Sequence, residues 1–156
     1  MMRFNHMEIT VPPGFVAEHG EDLYRFLHEV LGFAPSVFPG LDFPSLVVKT
    51  DPEASQFLFI AENEQPLARA SDDHLGLHLD SDAEVEAVLA AAEAFKATDD
   101  RVEIRDVGML ELEATTTRAI YVRYLLPIWF DVQHIAHRPG HEPAREWRFA
   151  PAAQTA

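Results

Sequence analysis

The chain has 156 residues, no cysteine and a formal net charge of −14 from 12 basic and 26 acidic side chains. That length suits one domain with a sizeable core. The missing cysteine excludes disulfides, thiolate catalysis and cysteine-bound zinc, and the acidity speaks against a nucleic-acid partner, whose phosphates it would repel.

No apolar run reaches the length of a membrane span. The opening Met-Met-Arg-Phe-Asn-His lacks the apolar core of a leader peptide, so a cytoplasmic protein with no membrane partner is expected. Phe4 to Val11 alternates: Phe4, His6, Glu8 and Thr10 share one face, and Met7, Ile9 and Val11 the other. That pattern predicts a half-buried strand, ended by Pro12-Pro13-Gly14. Glu21 to Leu31 places Leu23, Phe26, Leu27, Val30 and Leu31 on one helical stripe, with Gly32 as the cap. Three extended segments follow at Phe33–Phe38, Ser45–Lys49 and Gln56–Ala61. Glu62 to Asp72 is polar, contains a proline and reads as a linker.

The second half opens on Asp73-His74-Leu75-Gly76-Leu77-His78-Leu79-Asp80, again an alternating strand. Ser81 and Glu84 form a capping box. Val85, Val88, Leu89, Ala92 and Phe95 then make the stripe of an alanine-rich helix. Strands are expected over Arg101–Val107, Thr116–Leu126 and Ile128–Ile135, with Pro127 breaking between the last two. From His137 the pattern stops. Trp147 and Phe149 stand in a tail able to fold back on the body or cover a neighbouring subunit, and Pro151–Ala156 reads as disordered.

The order strand, helix, strand, strand, strand therefore occurs twice. His6 aligns with His74 at an offset of 74 − 6 = 68 residues, and Met7, Ile9 and Val11 align with Leu75, Leu77 and Leu79. A duplicated α+β domain is expected over 1–137, with modules 1–62 and 73–137 and a tail over 138–156. If each helix covers the apolar face of its strand, the opposite face carries His6, Glu8, Thr10, His74 and His78, and Gly76 leaves room for a ligand. By alternation Asp131 joins Trp129 and Gln133, and Tyr121 joins Arg123. Two histidines and a carboxylate suit iron(II), manganese, nickel or zinc. His6, His74 and Asp131 come from three strands, so only the fold can bring them together. A carboxylate among Trp129, Phe130 and Val132 needs a partner, which is either a metal or Arg123. His134 is out of phase with Asp131 and lies outside the expected site. His19, His28, His137 and His141 read as surface residues.

Phe4-Asn5-His6-Met7-Glu8-Ile9-Thr10-Val11, Leu23 to Phe33 ending in Val30-Leu31-Gly32-Phe33, and His74-Leu75-Gly76-Leu77 together resemble the vicinal oxygen chelate superfamily. That group includes glyoxalase I, bleomycin-resistance proteins and extradiol dioxygenases. The resemblance implies two βαβββ modules forming a curved mixed sheet around a cavity. It also implies a divalent metal held by His6, His74 and Asp131, and a homodimer. Two departures stand out. The strand Gln56–Ala61 offers no carboxylate where some members take a fourth ligand, and the family's Asp-Pro-Asp-Gly-type turn followed by glutamate is replaced by Pro127-Ile128-Trp129-Phe130-Asp131.

Two functions follow from the resemblance. One is a metal-dependent lyase, isomerase or ring-cleaving dioxygenase acting on a small oxygen-rich substrate. In it, Glu8 or His78 would serve as base, and Tyr121 and Arg123 would orient an anionic group. The other is a metal-free module that sequesters a cationic antibiotic, which the charge of −14 and the aromatics Trp129 and Tyr121 suit.

Overall fold

The computed structural model describes residues 4–37, 42–53, 55–69 and 71–145. The expected tail contacts of Trp147 and Phe149, and the segment Pro151–Ala156, lie outside the described residues. The elements run β1 (His6–Val11), α1 (Phe15–Leu31), β2 (Ala34–Ser36), β3 (Ser45–Lys49), β4 (Phe57–Glu62), β5 (His74–His78), α2 (Asp82–Lys96), β6 (Glu103–Glu111), β7 (Thr115–Arg123) and β8 (Trp129–His137). This is the expected βαβββ order, twice. No helix among the described residues is long and apolar enough to cross a membrane.

Each module builds its own four-stranded sheet, ordered β1-β4-β3-β2 and β5-β8-β7-β6. The first strand of each lies parallel to the last, while the other neighbours are antiparallel. Among the described residues the chain thus forms two sheets, with β1 and β2 at the edges of the first and β5 and β6 at those of the second.

The two helices meet between the sheets. Leu23, Phe26, Leu27 and Val30 are buried on α1, and Val85, Ala92 and Phe95 on α2. They pack with Ile9, Leu58, Ile60, Ile120, Val122, Tyr124 and Phe130 in one core. Phe26 is central: its ring stands edge-on to Phe95 at 5.5 Å and stacks on Tyr124 at 4.9 Å. Burying each such aromatic contributes about 1.5–3 kcal/mol.

A polar clasp rims that core. The Tyr124 hydroxyl donates to Asp99 Oδ2 at 2.6 Å and accepts from Arg101 Nη2 at 2.7 Å. The same guanidinium reaches Asp22 of α1 at 2.7 Å, tying the first module to the second. Arg101 and Tyr124 hold the Asp99 carboxyl well below the usual carboxylate range, and burial with the Asp99 hydrogen bond pushes the Tyr124 hydroxyl up.

Helix α1 starts at Phe15, six residues before the expected Glu21. The cause lies outside the local sequence. Glu62, at the end of β4, accepts from the backbone N–H of Gly14 and of Val16, both at 2.8 Å. It thereby satisfies donors that the first turn leaves free, and Gly14 makes the left-handed entry at φ 86°. The expected end at Gly32 holds, with φ 70°, its N–H on the His28 carbonyl and the Phe33 N–H on that of Leu27, both at 3.0 Å. The Ser81 cap of α2 holds as well: its hydroxyl accepts from Glu84 N–H at 3.3 Å and donates to Glu84 Oε2 at 3.0 Å. β6 runs to Glu111, past the expected Val107, because a bulge between Asp106 and Gly108 interrupts the alternation without ending the pairing. β7 stops at Arg123, before Leu125 turns to φ 57°.

Candidate functional site

Strand register assembles the site on the face of the second sheet turned away from α2. Gly76 pairs with Asp131, Asp131 with Tyr121, and Tyr121 with Arg105, so these four cross the sheet in one row. The neighbouring row holds His74, paired with Trp129, and Arg123, paired with Glu103. Gly76 keeps the row open beside the acid: a side chain there would first meet Gln133 Nε2, at 3.7 Å.

Asp131 is the central group. It is only 5% exposed. Its Oδ1 is buried with no hydrogen-bond partner, while Oδ2 lies 3.8 Å from His74 Nε2. Burial raises its carboxyl above the ordinary value; a hydrogen bond from Tyr121 and the nearness of His74 partly offset this. The Tyr121 hydroxyl is raised too, by burial first and then by Asp131. The Tyr121 ring stands edge-on to His74 at 5.4 Å.

Arg123 does not serve as the counter-ion of Asp131. Its Nε and Nη2 donate to Glu103 at 3.0 and 2.7 Å, and its guanidinium lies 4.1 Å from the Trp129 ring. The non-metal reading of Asp131 as half of an Arg123 pair is therefore corrected. The competing carboxylate sits one pairing away on β6, and Arg123 holds its acid below the usual range. Arg105 packs over Trp129 as well, at 4.2 Å, and pairs with Asp72 at 3.0 Å. Arg69 completes the ion cluster on Glu103. Glu103 and Arg105 escaped the sequence reading, although their odd-numbered alternation marks them as sharing a face.

The linker is laced onto this end of the sheet. The Trp129 indole donates to the Ser71 carbonyl at 3.0 Å, and the Trp129 backbone N–H to that of Asp73 at 3.0 Å. His74 Nδ1 lies 2.9 Å from the Asp72 carbonyl, which leaves Nε2 directed at Asp131.

The other expected residues fall as follows. His6 is exposed on β1, in the first sheet, stacked on Phe57 at 4.8 Å with 5° between the rings. Glu8 is exposed two residues on, paired in register with Phe59. His78 is exposed at the end of β5, 6.1 Å from the His134 ring. His134 itself bonds Asp82 at 2.7 Å beside α2, outside the site as expected. Among the described residues no group of three histidines or acids forms a metal cage. Within one chain, then, His74, Asp131 and Tyr121 come together, and His6 stays with the other sheet.

The donor set suits a divalent cation. A buried carboxylate oxygen without a partner, beside an imidazole nitrogen whose ring is held from its other side, offers two donors that an added cation would satisfy. In β4 the position equivalent to Asp131 is Phe59, since Glu8 pairs with Phe59 as Gly76 pairs with Asp131. The first module therefore supplies no matching carboxylate.

No family model matches the sequence, and no curated protein matches it. Solved structures do match the fold. A fosfomycin resistance protein, FosX, from Mesorhizobium loti aligns over 86% of this chain and 92% of its own, at TM-score 0.57 and 16% identity. A glyoxalase/bleomycin resistance protein from Albidiferax ferrireducens aligns over 87% and 98%, at TM-score 0.54 and 18% identity. A variant of FosX from Listeria monocytogenes, complexed with Mn(II) and 1S,2S-dihydroxypropylphosphonic acid, aligns over 86% and 91%, at TM-score 0.57 and 12% identity.

Proposed function

We propose that this chain, which has the vicinal oxygen chelate fold, is a divalent-metal-dependent enzyme acting on a small substrate with neighbouring oxygens. The supporting observation is Asp131: a buried acid with one orphaned oxygen, next to His74 and out of reach of the Arg123–Glu103 pair. His74 and Asp131 would hold the ion. The third ligand is His6, delivered by the free edge β1 of a second copy to the free edge β5 of the first. This homodimer reconciles the separation of the sheets with the matched histidines. Such a set of three protein ligands would leave room for a substrate with two neighbouring oxygens, as in two-histidine–one-carboxylate sites. The bound ion, iron(II), manganese, nickel or zinc, supplies Lewis-acid stabilisation of negative charge on those oxygens.

The chain's own residues do the rest. Tyr121 keeps its proton, because burial raises its hydroxyl, and the hydrogen bond it gives Asp131 in the free chain would pass to a substrate oxygen. Arg123 and Arg105, both packed on the Trp129 ring, orient an anionic part of the substrate. Glu8 and His78 lie exposed on the two strand faces that the dimer turns together, and either serves as the base. The missing carboxylate at Phe59 favours the three-ligand chemistry of a ring-cleaving dioxygenase over that of glyoxalase I. Sequestration of a cationic antibiotic without metal fits less well. The Trp129 ring, which would receive the cation, already carries two guanidiniums.

The test is metal analysis of protein purified without chelator, beside His74→Ala. Near-stoichiometric iron, manganese, nickel or zinc in the wild type, lost in the variant, supports the reading. Less than about a tenth of an equivalent in both, with no uptake of added metal, sinks it.

A further inference from the structure

The two matched histidines share a feature that strand pairing does not impose. His6 Nδ1 lies 2.9 Å from Asn5 Oδ1, and His74 Nδ1 lies 2.9 Å from the Asp72 carbonyl. Amide and carbonyl oxygens only accept, so each ring carries its proton on Nδ1 and keeps the Nε2 lone pair free. In the second module that Nε2 is the atom facing Asp131.

The modules reach this state by different means. Asn5 corresponds to Asp73 at the offset of 68, yet the second module uses a main-chain oxygen one residue earlier and the first uses a side chain. The Asn5 main chain is itself fixed, since its carbonyl accepts from Phe57 N–H at 3.2 Å. Phe57 then sets the plane of the His6 ring by stacking, and Asn5 sets which nitrogen points outward. We infer that Asn5 is the positioning residue of His6, selecting the tautomer in which Nε2 is the ligand atom. This inference rests on the metal reading above. In a chain where the second module's tautomer is held by the backbone, Asn5 is the one such device that a point substitution can remove.

Nitrogen-15 long-range NMR of the metal-free protein reads the tautomer directly, at alkaline pH where free imidazole is neutral. Wild-type His6 and His74 should both be protonated on Nδ1. Asn5→Ala should move His6 towards the Nε2-protonated form and leave His74 unchanged. Zinc(II) titrated into the same proteins should bind the alanine variant about 10–100-fold more weakly, and Asn5→Asp, which keeps an acceptor, should restore both readouts. Wild-type His6 protonated on Nε2, or an alanine variant with unchanged tautomer and zinc affinity, overturns the inference. Wild type that binds no zinc overturns the metal reading instead, and the tautomer shift then decides the role of Asn5 by itself.

Discussion

Asp131→Asn should stabilise the metal-free protein and weaken the metal-loaded one. In the metal-free chain the carboxyl is 5% exposed, has one oxygen without a partner and is raised by burial. A group raised on folding contributes stability that is present at low pH and lost as pH climbs through its folded value. Above that value the wild type holds a costly buried charge. Removing that charge while keeping an oxygen at the same place should be worth about 1–2 kcal/mol, or a rise of roughly 3–6 °C in Tm for a chain of this size. Metal reverses the order. At a concentration about 100 times its Kd, an ion adds about 2.7 kcal/mol to the wild type. If the substitution weakens binding about 100-fold, the variant gains only about 0.4 kcal/mol at the same concentration. Thermal unfolding in chelator and in excess manganese or zinc should show the two melting curves exchanging order. A variant that melts below wild type in chelator, or equal gains for both proteins on adding metal, refutes the argument.

Phe26→Ala should cost about 3–5 kcal/mol, because the ring is buried between Phe95 and Tyr124 where both modules meet; denaturant unfolding with one shared transition for both modules is the check. Asp99→Asn should flatten the acid side of the stability profile. The folded carboxyl is lowered by Arg101 and Tyr124, so its contribution is present above about pH 4 and lost as pH falls further; an unchanged pH profile would remove Asp99 from the clasp. Gly32→Ala should cost about 1 kcal/mol through backbone strain alone, since φ is 70° and an added Cβ meets nothing within 4 Å; a loss of several kcal/mol in chemical denaturation would mean that the cap carries more than conformational strain.

Much of the architecture was readable because periodicity reports faces. The stripe Leu23–Phe26–Leu27–Val30 and the alternation around His6 and His74 each fix which side of an element is buried. The same parity put Asp131, Tyr121 and Arg123 on one face, and the pairing register agrees. What periodicity cannot carry is contact between distant elements. The early start of α1 depends on Glu62, 46 residues from Val16. The partner of Arg123 is Glu103, in a strand whose bulge at Val107 blurred its pattern. The separation of His6 from His74 depends on how two sheets are set about the paired helices, and no single strand records that.

Phe59 also has a meaning for how such a molecule can change. The two halves have equivalent positions, one carrying an acid and the other a phenyl ring. The unfilled half is a reserve: a single substitution, Phe59→Glu, would offer a further oxygen donor from a backbone position already shaped for one.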